Sequence, residues 1–143
     1  MEIRKYIEKD KQSLIGLWET VFSDDPPHNE PSKVLVAKLA VDDLVFVAED
    51  NNRIIGACMA GYDGHRGWLY ALAVLPQYRR TGTGSSLIEH AMQCLQEIGC
   101  IKVNLQIRST NAGVAAFYES LGFIREDRIS MGIRLTRPQE LVS

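Results

Sequence analysis

The residues best equipped for chemistry lie side by side: Arg79, Arg80, Thr81, Gly82, Thr83 and Gly84. Glycine lets a backbone take positive φ and lets a ligand come close. Successive N–H groups in such a loop can converge into an anion-binding concavity. If a helix follows at once, its first N–H groups have no intrahelical partner and sit at the positive end of its dipole. Arg79 and Arg80 add charge and forked donors. That combination suits a phosphate, or the pyrophosphate of a nucleotide-derived ligand. The plainer reading is a strand-to-helix turn whose arginines face water. The stretch is not a P-loop, which needs G-x-x-x-x-G-K-[ST], and no G-x-G-x-x-G follows an N-terminal strand.

A phosphate loop works only if it is held between rigid elements. Residues 68–75, WLYALAVL, are nearly all apolar with aromatic and β-branched members, which predicts a buried strand. Pro76 ends it, since proline gives no ladder donor. From Gly84, the apolar residues Leu87, Ile88, Ala91, Met92 and Leu95 recur at spacings of three and four and predict a helix. It should run to Glu97 or Ile98, with Gly99 as its C-terminal stop.

A second pair of candidates lies at 111–123. Asn111 can cap a helix over 111–121. Phe117 and Leu121, four apart, share one face and read as core. Tyr118 then falls at the edge of the apolar stripe, where a phenol can be half exposed. Read from its residues alone, it is an amphipathic surface tyrosine.

The rest of the chain bounds the problem. With 143 residues, 45% hydrophobic and 24% charged, it reads as one globular domain over 1–143. A net charge of −2 argues against nucleic acid as a partner. Cys58, Cys94 and Cys100 form no C-x-x-C and are odd in number, so a disulfide framework or a metal site is not expected. Reduced thiols fit the cytoplasm. No signal peptide or membrane-length apolar run is visible.

Strands are expected at 2–6, 44–49, 54–62, 68–75, 101–107, 123–126 and 129–135. Helices are expected from an Asp10 cap to Val21, after a Ser32 cap through Val41, from Gly84, and over 111–121. The order β-α-α-β-β-β-α-β-α-β-β, with hairpins first and a helical crossover later, implies a mixed, mostly antiparallel sheet in an α/β fold.

Leu72-Ala73-Val74-x-Pro76-x-Tyr78-Arg79-x-x-Gly82-x-Gly84-x-x-Leu87 resembles the acyl-CoA signature of the GNAT family of N-acetyltransferases, whose core is Arg/Gln-x-x-Gly-x-Gly/Ala. Thr83 stands where the family often has an aliphatic residue. The run Asn111-x-x-x-x-x-Phe117-Tyr118-Glu119-x-x-Gly122-Phe123 resembles the family's closing motif. The resemblance implies an acetyltransferase that uses acetyl-CoA and no metal. It implies that Arg79, Arg80, Thr81, Gly82, Thr83 and Gly84 hold the pyrophosphate, and that the backbone of Leu72, Ala73 and Val74 binds the pantetheine arm. It further implies that Asn111 bonds that arm and that Tyr118 protonates the departing thiolate. A homodimer is common in the family. Residues 61–67 are similar to those of a bacterial branch labelled by likeness to ribosomal-protein N-terminal acetyltransferases.

The acceptor implied is an amine that attacks the thioester directly. Candidate bases are Asp63, His65 and Tyr70, with Asp24, Asp25 and Glu30. Acceptor contacts are expected from 23–30, 62–68 and 125–129. Their acids favour a cationic amine, on a small molecule or at a peptide N-terminus. A non-catalytic acyl-CoA sensor is the reading from another class.

Overall fold

The computed structural model describes residues 1–23 and 30–136. They fall into two compact units, one ending at Leu105 and the other beginning at Gln106.

The first unit runs β1 (Glu2–Lys5), α1 (Lys11–Val21), α2 (Pro31–Val41), β2 (Val45–Asp50), β3 (Arg53–Tyr62), β4 (Gly67–Val74), α3 (Thr83–Glu97) and β5 (Val103–Asn104). The strands lie in the sheet in chain order. β1 to β4 pair antiparallel and β5 joins β4 in parallel. The class is the expected mixed α/β fold. The β2–β3 hairpin turns through Asn51 and Asn52 at φ 51° and 62°, the pair of positive values that a tight I′ turn requires and that asparagine tolerates.

The sheet is covered on both faces, which is why β2 and β3 read as nearly continuous apolar runs. Val45, Val47 and Met59 join Leu14, Leu17, Trp18 and Leu35 of α1 and α2. On the other face, Leu87, Ile88, Ala91 and Leu95 of α3 are fully buried, and the Phe46 ring meets His90 edge-on at 5.5 Å.

Two caps differ from expectation. Asp10 does precede α1, but its carboxylate makes no cap bond there; it takes both guanidinium arms of Arg4 instead, at 2.7 and 2.9 Å. Ser32 does not cap α2. Glu30 does, accepting from the N–H groups of Ser32 and Lys33, because Pro31 occupies the first helical position and needs no donor partner. The inner face of α2 is not wholly apolar. Leu35 is buried, but the face continues with Lys38, and Val41 is 79% exposed.

In the second unit, α4 spans Ala112–Ser120. The strand expected at 101–107 pairs only over Val103–Asn104, and the two closing strands expected at 123–126 and 129–135 do not form among the described residues. Ile129, Met131, Ile133 and Leu135 are each at least 87% exposed. Alternation records only a fit to a pleated, half-buried surface. A ladder partner must supply the rest, and none pairs with these residues among the described ones.

Candidate active site

The candidate site of the first unit is built on β4 and the loop that leads from it into α3. β4 keeps register with β3 from Tyr62–Gly67 to Met59–Tyr70, then slips and resumes at Ala57–Ala73. Cys58 therefore opposes two residues, Ala71 and Leu72, in a β-bulge. Ala71 sits at φ +55°, a left-handed conformation that costs a non-glycine residue about 1 kcal/mol or more. The bulge shifts the alternation by one. Trp68 and Tyr70 precede it and Ala73 follows it, yet all three take the α1/α2 face, as their partners Gly61, Met59 and Ala57 show.

On its other edge β4 pairs with β5 only at Gly67–Val103 and Trp68–Asn104. Past Trp68 no ladder between the two strands exists among the described residues. The β4 backbone over Leu72, Ala73 and Val74 thus has an edge on which an extended ligand can add like a strand.

The chain leaves this edge through a 3₁₀ turn at Pro76–Tyr78. The Tyr78 hydroxyl donates to Asp50 at 2.9 Å and so ties the turn to the β2–β3 hairpin. Arg80 lies at φ +63° and Gly82 at +85°. Gly82 occupies the N-cap of α3 in the left-handed region and, having no side chain, makes no cap bond to the helix. The first N–H groups of α3, from Thr83, are left for another acceptor. Thr81 Oγ1 donates to the Tyr78 carbonyl and lies 2.9 Å from Thr83 Oγ1. That contact explains the departure at Thr83: the residue is 1% exposed and its hydroxyl is satisfied inside the loop. Gly84 lies in the first turn of α3. Arg79 Nε donates to the Val74 carbonyl at 3.3 Å, so its guanidinium bridges the end of β4 and the loop. Arg80 stays exposed. Leu72, Ala73, Val74 and 79–84 are brought together as one continuous surface. A strand edge that no described strand pairs past Trp68, an open helix N-terminus and two arginines fit an extended chain ending in a pyrophosphate.

Asn111 and Tyr118 lie in the second unit. Asn111 caps α4, its Oδ1 accepting from the Val114 N–H at 3.2 Å. Tyr118 is not half exposed, as expected, but 7% exposed, and it is the buried residue of α4. Phe117, read as core, is only partly buried. The reason is the end of the helix. Gly122 takes φ +98°, its N–H bonds the Glu119 carbonyl, and the Phe123 N–H bonds the Tyr118 carbonyl at 3.1 Å. This Schellman turn folds Phe123 back over Tyr118. The Tyr118 ring is held edge-on by Phe117 at 5.0 Å and by Phe123 at 5.5 Å.

The candidate bases separate. Asp24 and Asp25 lie outside the described residues. Glu30 is spent on the α2 cap, and bonds from Ser32 hold its carboxyl below the usual range. Asp63 Oδ1 accepts from the backbone N–H of Arg66 at 2.7 Å and of His65 at 2.8 Å, and these bonds likewise depress its pKa. Both carboxylates are suited to carry charge, less to collect protons. His65 is on the exposed turn beside Arg66. Tyr70 is 41% exposed on β4. Burial pushes the Cys58 thiol up to about 12, which removes it as a nucleophile at neutral pH. Among the described residues no cluster of metal-ligating side chains occurs, and no helix is long and apolar enough to cross a membrane. The burial of Lys38 on α2 matches no expectation from the sequence, although its pairing with Asp42 at i, i+4 is a pattern the sequence displays.

Comparison with known proteins shows the family and the fold. The model of the acetyltransferase (GNAT) family matches residues 8–123. An acetyltransferase of Yersinia pestis is 40% identical over 141 residues, covering 98% of this chain and 99% of its own. Among solved structures, the ribosomal-protein-S18-alanine N-acetyltransferase of Escherichia coli superposes with a TM-score of 0.73 at 25% identity, over 85% of this chain and 76% of that one. The aminoglycoside N-acetyltransferase AAC(6')-Iy, in complex with CoA, shares the fold with a TM-score of 0.78 at 18% identity, over 94% of this chain and 95% of that one. The chain is an N-acetyltransferase and belongs to the GNAT family.

Proposed function

We propose that the chain moves an acetyl group from acetyl-CoA to the primary amine of a small molecule, by direct attack of the amine on the thioester. The observation that carries the reading is the free edge of β4 leading into the open N-terminus of α3. In this reading the 79–84 loop binds the pyrophosphate: Gly82 shapes it, Arg79 and Arg80 neutralise charge, and Thr81 and Thr83 lock it from within. Backbone groups of Leu72, Ala73 and Val74 align the pantetheine arm. A β4 N–H in that stretch stabilises the oxyanion of the tetrahedral intermediate. Asn111 bonds the arm, and Tyr118 donates its phenolic proton to the departing thiolate; both roles rest on their places in the closing motif. Direct attack needs no covalent enzyme intermediate, in keeping with the inert Cys58.

Asp63 and Glu30, held ionised, support a cationic acceptor. The likeness to an enzyme named for acetylating a ribosomal-protein alanine supports a second reading, a peptide N-terminus as acceptor. The three free thiols support a cytoplasmic enzyme, and the family supports a homodimer; neither nucleic acid nor membrane is part of the reading. The test is titration with acetyl-CoA beside a thiol-release assay on small amines and short peptides. Turnover on amines alone supports the first reading and turnover on peptides the second. Binding without turnover leaves an acyl-CoA sensor, and no binding overturns the assignment of the loop.

A further inference from the structure

Among the described residues, Lys38 on α2 is the buried lysine, at 9% exposure. A buried ammonium is costly unless it is paired and hydrogen-bonded. Here it is both. Nζ forms an ion pair with Asp42 at 2.8 Å and donates to the Ala60 carbonyl of β3. It also lies 5.4 Å from the ring centroid of Tyr70 on β4, within cation–π range. Gly61 of β3 lies beside this meeting: a Cβ there would make ordinary contact, 4.0 Å from Nζ and 4.0 Å from the Tyr70 hydroxyl. One ammonium therefore joins α2, β3 and β4. Docking α2 does not by itself call for a charge, since a well-packed apolar side chain does that at least as well. What the charge adds is a hold on Tyr70. Tyr70 is the last residue before the bulge, one step from Ala71 and two from the Leu72–Val74 stretch. Its ring is half exposed on the same face as Trp68.

We infer that Lys38 is a positioning residue for the acceptor: its ammonium, anchored by Asp42 and the Ala60 carbonyl, fixes the Tyr70 ring so that the phenol oxygen accepts a hydrogen bond from an N–H of the incoming amine and leaves its lone pair free to attack. Asp42 cancels the charge of Lys38, so a cationic acceptor meets no net repulsion there. The inference rests on the acetyltransferase reading above.

The test is steady-state kinetics with spermidine, tyramine and an alanine-initiated hexapeptide at saturating acetyl-CoA, following whichever is turned over fastest. The variants are Lys38→Met, Lys38→Arg, Tyr70→Ala and the Lys38→Met/Tyr70→Ala pair, with acetyl-CoA affinity measured by calorimetry. Lys38→Met and Tyr70→Ala should each raise the acceptor KM about tenfold with acetyl-CoA affinity unchanged, and Lys38→Arg should recover part of the loss. The double variant should be no worse than Tyr70→Ala alone, as coupling through one ring requires. Additive effects, or an unchanged acceptor KM, overturn the inference and leave the acetyltransferase reading standing. Should Lys38→Met fail to fold, Tyr70→Ala and Lys38→Arg decide: an unchanged acceptor KM in Tyr70→Ala is enough to reject it. A wild-type protein that binds no acetyl-CoA overturns the reading and the inference together.

Discussion

The ring of Phe123 stands edge-on to that of Tyr118, with centroids 5.5 Å apart and planes at 78°. The contact is made by the backbone. Gly122 reverses the chain at the end of α4, and the Phe123 N–H closes on the Tyr118 carbonyl. The spacing Tyr118-x-x-x-Gly122-Phe123 is thus a device for holding one phenol, with Phe117 packed edge-on against it as well. Such a clamp gives the proposed proton donor a fixed place at low entropic cost.

Removing only the hydroxyl should then separate chemistry from packing. Tyr118→Phe keeps both ring contacts. We expect kcat to fall by about 10²-fold, the lower end for loss of a general acid, with the acetyl-CoA dissociation constant within about twofold of wild type. Thiol-release kinetics and calorimetry on the same preparation decide it. Parallel loss of rate and affinity would reject the proton-donor role.

Gly82 faces open space, so a Cβ there would meet nothing within 4 Å. Its constraint is the φ of +85°. Gly82→Val should retain the fold, losing about 1–2 kcal/mol of stability to backbone strain, while acetyl-CoA binding becomes undetectable because the loop N–H groups no longer converge. Circular dichroism melts and calorimetry check the two halves. Normal binding by Gly82→Val would remove the phosphate-loop reading.

Arg80 offers an opposed pair of effects. It carries a side chain at φ +63° and is exposed, so its strain is not repaid by packing. Arg80→Gly should be more stable than Arg80→Ala by about 1 kcal/mol. Both should weaken acetyl-CoA binding to a similar degree, and more at low salt than at high, since both delete the same charge. If binding is unaffected in both, Arg80 has no part in the site.

Sequence patterns reached the shape of the 79–84 loop because its features are local. Glycine at a positive φ, two arginines and a helix start lie within six consecutive residues. The strand-to-helix core of the first unit was legible for the same reason: its periodicity is carried by each element alone. What escaped depends on distant partners. The slip beside Ala71 is set by Cys58 across the ladder. The burial of Lys38 is set by Ala60, 22 residues away. The alternation at 129–135 points to a strand that no neighbour among the described residues completes, and the burial of Tyr118 depends on the fold-back of Phe123, which is not visible in a helical wheel.

The pH dependence of stability should be governed by Asp10. Its carboxylate is 4% exposed. Burial pushes its pKa up, but the bonds from Arg4 and from the Ile7 N–H outweigh burial and leave it below the usual range. Arg4 also holds Glu49 at 2.9 Å, so the three groups tie β1, β2 and the start of α1. A carboxyl depressed in the folded state contributes stability that is complete above its unfolded pKa, near 3.9, and is lost as pH falls through its folded value. Urea unfolding at steps from pH 7 to pH 2 should therefore show a plateau down to about pH 4.5 and a decline below it. Asp10→Asn should lower the plateau by about 3 kcal/mol, because it leaves part of a largely buried guanidinium unpaired, and should flatten the decline. A wild-type profile that stays level below pH 4, or an Asp10→Asn profile that falls as steeply as wild type, would show that another carboxylate sets the acid limit.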